Sequence, residues 1–409
     1  MLKYIKICAV FLVIVFLLPC VCIASNTIYT WSNSAKSLSE TVQANSAIAS
    51  SLNLNVGGAV LIEQRSGQVL YEQNMHEKLR PASVTKVMTI LLIMEAIDSG
   101  RLSYSDKIPC SEKAAGMGGS QIWLDVREEL TVDEMLKAIC VVSANDCTVA
   151  ITEYLAGTEE AFVDQMNKKA KELGMNDTTF KNCHGIDEDG HVTSAYDIAL
   201  MSRELLNKHP SITKYTTIYM DSLRDGKSSL VNTNKLIRNY KGATGLKTGS
   251  TSIALYNLSA SATRNDLSLI GVVMKAPTGP IRFSEAQKLL DYGFSNFEYK
   301  KFANKNDVIK QVMVEKGIEN TVNAIVEDDS GALISKGQEK DIVQTVEVVN
   351  TVNAPVSEGQ ILGTITYSLN GNEIGRVNIV AEKSVSKNSA FNVIEHVIFN
   401  WFSLLRYNK

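Results

Sequence analysis

Three short runs of this sequence hold residue types that can act together as a nucleophile, its base and a polar cleft. RPASVTKVMTILLIMEAIDSG, residues 80–100, places Ser83 and Lys86 three positions apart at the mouth of an apolar segment. Pro81 suits a first helical position and Gly100 a C-terminal stop, so the spacing predicts a helix between them. Val87, Met88, Ile90, Leu91, Leu92, Met94, Ala96 and Ile97 are apolar nearly all round, which marks a buried helix. Residues three apart share a helix face, so Ser83 Oγ and Lys86 Nζ are expected to meet at the positive end of the helix dipole. There a neutral lysine is easier to keep and an alkoxide easier to stabilise. That pairing is a hydroxyl nucleophile beside its general base.

Spacing alone is weak. Ser-x-x-Lys recurs as SITK at Ser211 and Lys214, and as SVSK at Ser384 and Lys387. An isolated match reads most simply as a capping serine with a solvated lysine. SITK runs into YTTIYM, whose β-branched and aromatic residues predict a strand, and SVSK sits in a polar, linker-like stretch. Of the three serines, Ser83 alone opens a buried helix.

The second run is VVSANDC. Ser143, Ala144 and Asn145 fall where one apolar helix ends and another begins, with Asn145 or Asp146 as the expected cap. Ser-x-Asn also occurs at Ser51 and Ser368. The third run, GATGLKTGST, contains Lys247, Thr248 and Gly249, the chain's single Lys-Thr-Gly. A glycine in a strand often marks close approach by another backbone or a ligand; the plainer reading is a turn with an exposed lysine. His184 and His191, in NCHGIDEDGH, invite a histidine-base reading, but their surroundings read as a loop shaping a site in which lysine already serves as base.

The elements that must position these residues follow from pattern. The chain has 409 residues, enough for two domains. GGAVLIEQRSGQVLYEQN reads as two strands around a Ser66–Gly67 turn, and the Ser83 helix follows. A helical middle begins at TVDEMLKAIC, where Thr131 and Glu134 have capping-box spacing, and continues through two segments closed by glycine. From Lys247 strands return: YNLSASAT, a turn at Arg264–Asp266, then LSLIGVVMK. A helix, SEAQKLLDYGF, ends this domain near Phe297. The order predicts an α+β layered domain over 25–297 whose sheet is completed by chain from both sides of a helical insert. Residues 298–385 shift to Val, Ile and Thr with glycine-bearing turns, Asn370–Gly371 among them, and predict a small all-β domain with no acid–base or metal constellation.

The ends carry their own signals. Lys3 and Lys6, an apolar run and C-I-A before Ser25 read as a secretory signal peptide over 1–24, with a retained anchor as the alternative. Residues 386–409 include Phe391, Ile394, Ile398, Trp401 and Leu405 at helical spacing, with Asn392, Glu395, His396, Ser403 and Arg406 opposite. This predicts an amphipathic helix lying on a membrane; docking on the β domain is the alternative. Outside the signal segment, with its Cys8, Cys20 and Cys22, remain Cys110, Cys140, Cys147 and Cys183. Their spacing matches no zinc or redox motif, and small buried hydrophobes are the expected reading. A net charge of −3 argues against a general nucleic-acid partner.

Taken together, Ser-x-x-Lys, Ser-x-Asn and Lys-Thr-Gly, in that order in an exported chain, form a known signature. The sequence resembles the low-molecular-weight penicillin-binding proteins, the serine-type D-Ala-D-Ala carboxypeptidases. The likeness extends over GSQIWLDVREELTVDEMLKAICVVSANDC, ELGMNDTTFKNCHGIDEDGHVTSAYDIALMS, NKLIRNYKGATGLKTGST, IRFSEAQKLLDYGF, the β-rich tail and the C-terminal helix. It implies a penicilloyl-serine transferase (β-lactamase/transpeptidase-like) domain acting on peptidoglycan stem peptides that end in D-Ala-D-Ala, blocked by β-lactams, and needing no metal or cofactor. Ser83 would be acylated, Lys86 would take its proton, and Ser143 would relay a proton toward the leaving amine. Lys247 would keep that network electropositive and Asn145 would hold the substrate amide. Thr248 and Arg282 would bind the terminal carboxylate, with the backbone N–H groups of Ser83 and Ser250 as oxyanion hole. The resemblance also implies a place on the outer face of the cytoplasmic membrane, or secretion. A β-lactamase and a catalytically silent peptidoglycan-binding protein are the rival readings. The first needs a glutamate-bearing loop, and its nearest look-alike, RELLN at Glu204–Asn207, lies in an apparent amphipathic helix.

Overall fold

The computed structural model describes residues 52–388. The expected signal peptide, and the C-terminal helix beyond residue 388, lie outside the described residues.

Strand Gly58–Glu63 is buried along its whole length, as expected of a strand covered on both faces. Its side chains alternate between two cores. Val60 and Ile62 join a large helical cluster, whereas Ala59 and Leu61 join a second cluster with Leu289 and Leu290. The sheet is antiparallel and five-stranded, in the order Val69–Gln73, Gly58–Glu63, Leu267–Ala276, Leu255–Arg264, Ala243–Thr251. Its first two strands precede the helical insert and its last three follow it, as the sequence order predicts. Helix Gly279–Asn296 covers one face; helices Lys86–Asp98 and Ala195–Lys208 lie over the other.

The helical insert keeps its local signals. Thr131 and Glu134 form the expected capping box for Val132–Val141. Helices Asn145–Ala156 and Glu159–Glu172 end at or just before Gly157 and Gly174, both in left-handed backbone. Hairpin turns fall at Asn265–Asp266 and at Asn370–Gly371, all four residues with positive φ. Cys110, Cys140, Cys147 and Cys183 are all free and buried.

Three expectations are corrected. The Ser83 helix does not start at Pro81: Ala82–Thr85 is a 3-10 turn, and the α-helix runs Lys86–Asp98. SITK is helical, not strand-like. Pro210–Ile212 and Thr213–Thr216 are short helical turns, held down where the buried Tyr215 gives its hydroxyl to Asp133 at 2.6 Å. Neither Asn145 nor Asp146 caps its helix. Ala144 occupies that position without a side-chain bond; the Asn145 side chain is spent on Lys86 and Gly118, and one Asp146 oxygen on Ile122 N and Leu124 N.

Helix Gly279–Asn296 passes directly into strand Phe297–Ala303 and the all-β part. Six strands form one sheet, in the order Ile342–Val348, Ile361–Leu369, Asn372–Ala381, Thr321–Val326, Val308–Glu315, Thr351–Asn353. A core of Val312, Val326, Ile365, Tyr367 and Ile379 is its own.

Candidate active site

Ser83 sits on the 3-10 turn and is half-buried; Lys86, one turn on, is fully buried. Their side chains meet, Lys86 Nζ lying 3.0 Å from Ser83 Oγ. The same nitrogen donates to Asn145 Oδ1 at 2.6 Å and to the His184 carbonyl at 2.7 Å. Both of those oxygens can only accept, so they take two amine hydrogens. In a neutral lysine the lone pair is thereby left facing the Ser83 hydroxyl, the arrangement a general base requires. Burial, first, and the nearby Lys247, second, hold the Lys86 amine well below its usual range, which favours that neutral form.

Ser143, Ala144 and Asn145 link helices Val132–Val141 and Asn145–Ala156. Ser143 has φ 65°, the left-handed region that serine rarely occupies. The chain is pinned on both sides of it: Thr233 N donates to the Val141 carbonyl and Asn145 N to that of Ser120. Ser143 is 3% exposed, yet its Oγ has no protein hydrogen-bond partner among the described residues. A buried hydroxyl without a protein partner costs ~1–3 kcal/mol unless something else pairs with it, so this one is available to a bound molecule. Asn145 Nδ2 donates to the Gly118 carbonyl at 2.7 Å. Asn145 therefore ties Lys86 to the 118–124 loop, a role the motif alone does not disclose. It retains one N–H hydrogen and one lone pair for a ligand.

The Lys-Thr-Gly run lies on strand Ala243–Thr251, the sheet edge beside the Ser83 turn. A β-carbon on Gly249 would sit 2.8 Å from the Pro81 carbonyl oxygen and from Ser83 N, and 2.9 Å from Val84 N. Close backbone approach is thus why this position is glycine. Lys247 is buried, with Nζ bonded to the Thr248 carbonyl at 3.0 Å, and burial brings its pKa down to about 7. At neutral pH it shares its time between charged and neutral forms, so its positive field depends on pH. The exposed-lysine reading of this triplet does not hold. Arg282, on helix Gly279–Asn296, is buried and reaches back to the Gly249 and Asn257 carbonyls at 3.2 and 3.3 Å. Burial lowers its pKa to about 10, which keeps it charged at neutral pH. Ser250 is exposed at the next position of the strand.

Four positions escaped sequence reasoning. Thr233 accepts the Thr248 hydroxyl at 2.8 Å. Asn257, fully buried on the neighbouring strand, donates to the carbonyls of Arg80 and Pro81 and so straps the Ser83 turn to the sheet. Asp146 accepts from Ile122 N and Leu124 N at 3.0 and 3.1 Å, fixing the loop that Asn145 also holds. Gly185, at φ 90°, packs against the Ala82 carbonyl so closely that no β-carbon fits. Asp146 directly follows the Ser-x-Asn run, and the sequence marks it only as a candidate cap; Thr233, Gly185 and Asn257 stand outside the three motifs, and nothing local marks their roles.

The histidines are structural. His191 Nδ1 accepts from Lys181 N at 3.2 Å, so Nε2 carries the hydrogen and donates to Thr85 Oγ1 at 2.9 Å. His184 Nδ1 accepts from Ile186 N at 3.1 Å, and Nε2 faces Glu159 at 3.3 Å. Burial takes both rings down to about 4. Their nitrogens are spent on holding the 181–191 loop, whose His184 carbonyl grips Lys86. Ser211 of the SITK run is exposed, and its Lys214 pairs with Asp133 at 3.2 Å, away from any such cluster. The RELLN residues lie within helix Ala195–Lys208, where Asn207 bonds Gln64.

This arrangement can be set beside known proteins. Residues 43–278 match the family described as D-alanyl-D-alanine carboxypeptidase, Peptidase S11, and residues 297–387 match the C-terminal domain of penicillin-binding protein 5. The chain is 44% identical over 347 residues to the D-alanyl-D-alanine carboxypeptidase DacF of Bacillus subtilis (strain 168), covering 84% of this chain and 89% of the relative. Penicillin-binding protein 5 from Haemophilus influenzae superposes with TM-score 0.68 at 31% identity, over 82% of this chain and 99% of that one. Penicillin-binding protein D2 from Listeria monocytogenes, solved in its ampicillin-bound form, gives TM-score 0.55 at 32% identity, over 59% of this chain and 99% of that one.

Proposed function

The chain belongs to the D-alanyl-D-alanine carboxypeptidase family, and we propose that it removes the terminal D-alanine of peptidoglycan stem peptides through an acyl-enzyme on Ser83. The observation that carries this is the contact of Lys86 Nζ with Ser83 Oγ at 3.0 Å, with the other two amine directions taken by acceptor-only oxygens. Ser83 Oγ attacks the carbonyl carbon between the two D-alanines while its proton passes to Lys86. The resulting oxyanion is met by the backbone N–H groups of Ser83 and Ser250, on the two segments that Gly249 allows to approach. The C–N bond then breaks, and the proton returns through the unpartnered Ser143 hydroxyl to the leaving D-alanine amine. Thr248 and Arg282 hold the leaving residue's carboxylate. Water attacks the Ser83 ester, releasing the shortened peptide and restoring the hydroxyl.

β-Lactams acylate the same serine in this reading. Wild type should release D-alanine from a peptide ending in D-Ala-D-Ala and take up labelled penicillin. Ser83→Ala should do neither, whereas Ser211→Ala should do both. Label persisting on Ser83→Ala would sink the assignment, and rapid hydrolysis of the penicillin would favour a β-lactamase.

The enzyme is also proposed to be exported and held on the outer face of the cytoplasmic membrane by the segment after residue 387. Support comes from the sequence alone: the Lys3 and Lys6 leader and the helical spacing of Phe391, Ile394, Ile398, Trp401 and Leu405. Removing 388–409 should move the protein to the soluble fraction and leave hydrolysis of a small peptide intact. A truncated enzyme that still pellets with membranes would count against the anchor.

A further inference from the structure

One buried carboxylate takes no part in the chemistry above. Glu159 is the first residue of helix Glu159–Glu172. Its Oε1 accepts from Cys183 N at 3.1 Å and from the Cys183 thiol at 3.2 Å, and lies 3.3 Å from His184 Nε2. Its Oε2 pairs with Lys113 Nζ at 2.9 Å. Burial works against its charge, but Lys113 and the Cys183 amide outweigh it and hold the carboxyl below its usual range. Any buried carboxylate needs such partners. What distinguishes this one is where they lead.

The segment that Glu159 grips is the one that faces the base. Lys86 Nζ donates to the His184 carbonyl at 2.7 Å, and Thr89, three residues further along the same helix, donates to the Cys183 carbonyl at 2.6 Å. Two consecutive carbonyls are thus taken by the helix that carries Lys86, while the Cys183 amide and the His184 ring turn to Glu159. Gly185, next in the chain, lies against the Ala82 carbonyl, and its amide donates to Asn182 Oδ1 at 2.7 Å. We propose that Glu159 is a positioning residue for acylation: by holding Cys183 and His184 it fixes the His184 carbonyl, and so the direction in which the Lys86 lone pair faces Ser83 Oγ. The proposal rests on the carboxypeptidase reading, in which Lys86 is the base. Toward Cys183 and His184 the carboxylate acts as an acceptor, and its charge is answered on the other side by Lys113. The role therefore depends on reach and not on charge. Glutamine keeps Oε1 in place, and the part-exposed Lys113 can turn to Glu160, already 3.4 Å away. Aspartate keeps the charge but draws both oxygens back by one carbon–carbon bond, ~1.5 Å.

Stopped-flow acylation of detergent-solubilised full-length enzyme with a chromogenic β-lactam separates the initial binding constant from the acylation rate constant. Glu159→Asp should lower the acylation rate constant roughly 10- to 100-fold, the scale of a displacement near ~1 Å, with little change in the binding constant. Glu159→Ala, which removes the acceptor outright, should lose at least as much, and serves where the aspartate variant does not fold. Glu159→Gln, the conservative variant in reach, should recover most of the wild-type rate. Lys113→Ala should acylate like wild type, because it leaves Oε1 where it is. Thermal melts set a temperature at which each compared variant is folded, so that lost stability is not read as lost catalysis. An aspartate or alanine variant that acylates at the wild-type rate overturns the proposal. So does a glutamine variant as slow as these, or a loss confined to the binding constant. If wild type is not acylated and releases no D-alanine, the carboxypeptidase reading fails and the proposal with it; if wild type reacts, Glu159 stands or falls on the acylation rates of its variants.

Discussion

Gly249 and the amide of Ser83 are in backbone contact: a β-carbon on the glycine would lie 2.8 Å from Ser83 N. The Lys-Thr-Gly strand and the Ser83 turn are far apart in sequence, and this contact sets how closely they approach. Gly249→Ala should therefore spoil acylation without removing any functional group. We expect the rate of labelling by penicillin to fall at least ~100-fold, the scale of losing one oxyanion donor, with the fold retained by circular dichroism. Labelling at the wild-type rate would show that the turn yields freely.

Lys86 is assigned as base on geometry and on burial. Arginine keeps a fixed charge and cannot accept the Ser83 proton near neutral pH, while methionine approximates the lysine stem without the amine. Lys86→Arg and Lys86→Met should each lose roughly 10²–10⁴ in acylation rate, the range for a positioned general base. Stopped-flow acylation with a chromogenic β-lactam reads this directly. A rate within tenfold of wild type in either variant would remove Lys86 from the role.

Lys247 links function to stability through pH. Its folded pKa, about 7, lies below the ordinary 10.5 because burial disfavours the charge. The unfolded chain thus binds more protons between those values, and stability rises with pH across that window. The cost of burying this lysine is full below about pH 7 and fades as pH approaches 10.5. Lys247→Met should consequently raise the melting temperature at pH 6.5, with a gain on the order of a few kcal/mol that shrinks steadily toward pH 10. Its carboxypeptidase activity should fall. Thermal melts of both proteins at pH 6.5, 8 and 10 test the sign; a gain that grows with pH would refute the burial account.

Thr233 and Thr248 share a hydroxyl hydrogen bond of 2.8 Å. When Thr248 turns its hydrogen toward a bound carboxylate, Thr233 can donate to the oxygen it leaves. Thr233→Val should raise KM for D-Ala-D-Ala peptides about tenfold, the equivalent of ~1.4 kcal/mol for one hydrogen bond, with a smaller change in kcat. Thr233→Ser should restore wild-type binding. No recovery in the serine variant would point to packing of the threonine methyl instead.

The sequence by itself determined the chemistry-bearing residues and the regular elements around them. Side-chain type, apolar periodicity and turn residues are local properties: Ser83 with Lys86, the capping box at Thr131 and Glu134, the hairpin at Asn370–Gly371. The order of strands on either side of the helical insert was enough to predict how the sheet closes. Tertiary structure decided what those residues touch. The Lys86 amine finds its acceptors on Asn145, 59 positions away, and on the His184 carbonyl, 98 away. A backbone carbonyl leaves no mark in sequence, since every residue has one. The 3-10 turn at Ser83 likewise reflects distant straps, the Asn257 amide and the bare backbone of Gly249, which override the helical start that Pro81 suggests. SITK was misread for a similar reason. Its β-branched residues lean toward strand, but burying Tyr215 with its hydroxyl on Asp133 outweighs a propensity difference of well under ~1 kcal/mol per residue. Residue types fixed what reaction the chain can attempt; long-range packing decided what Lys86, Asn145 and Lys247 touch.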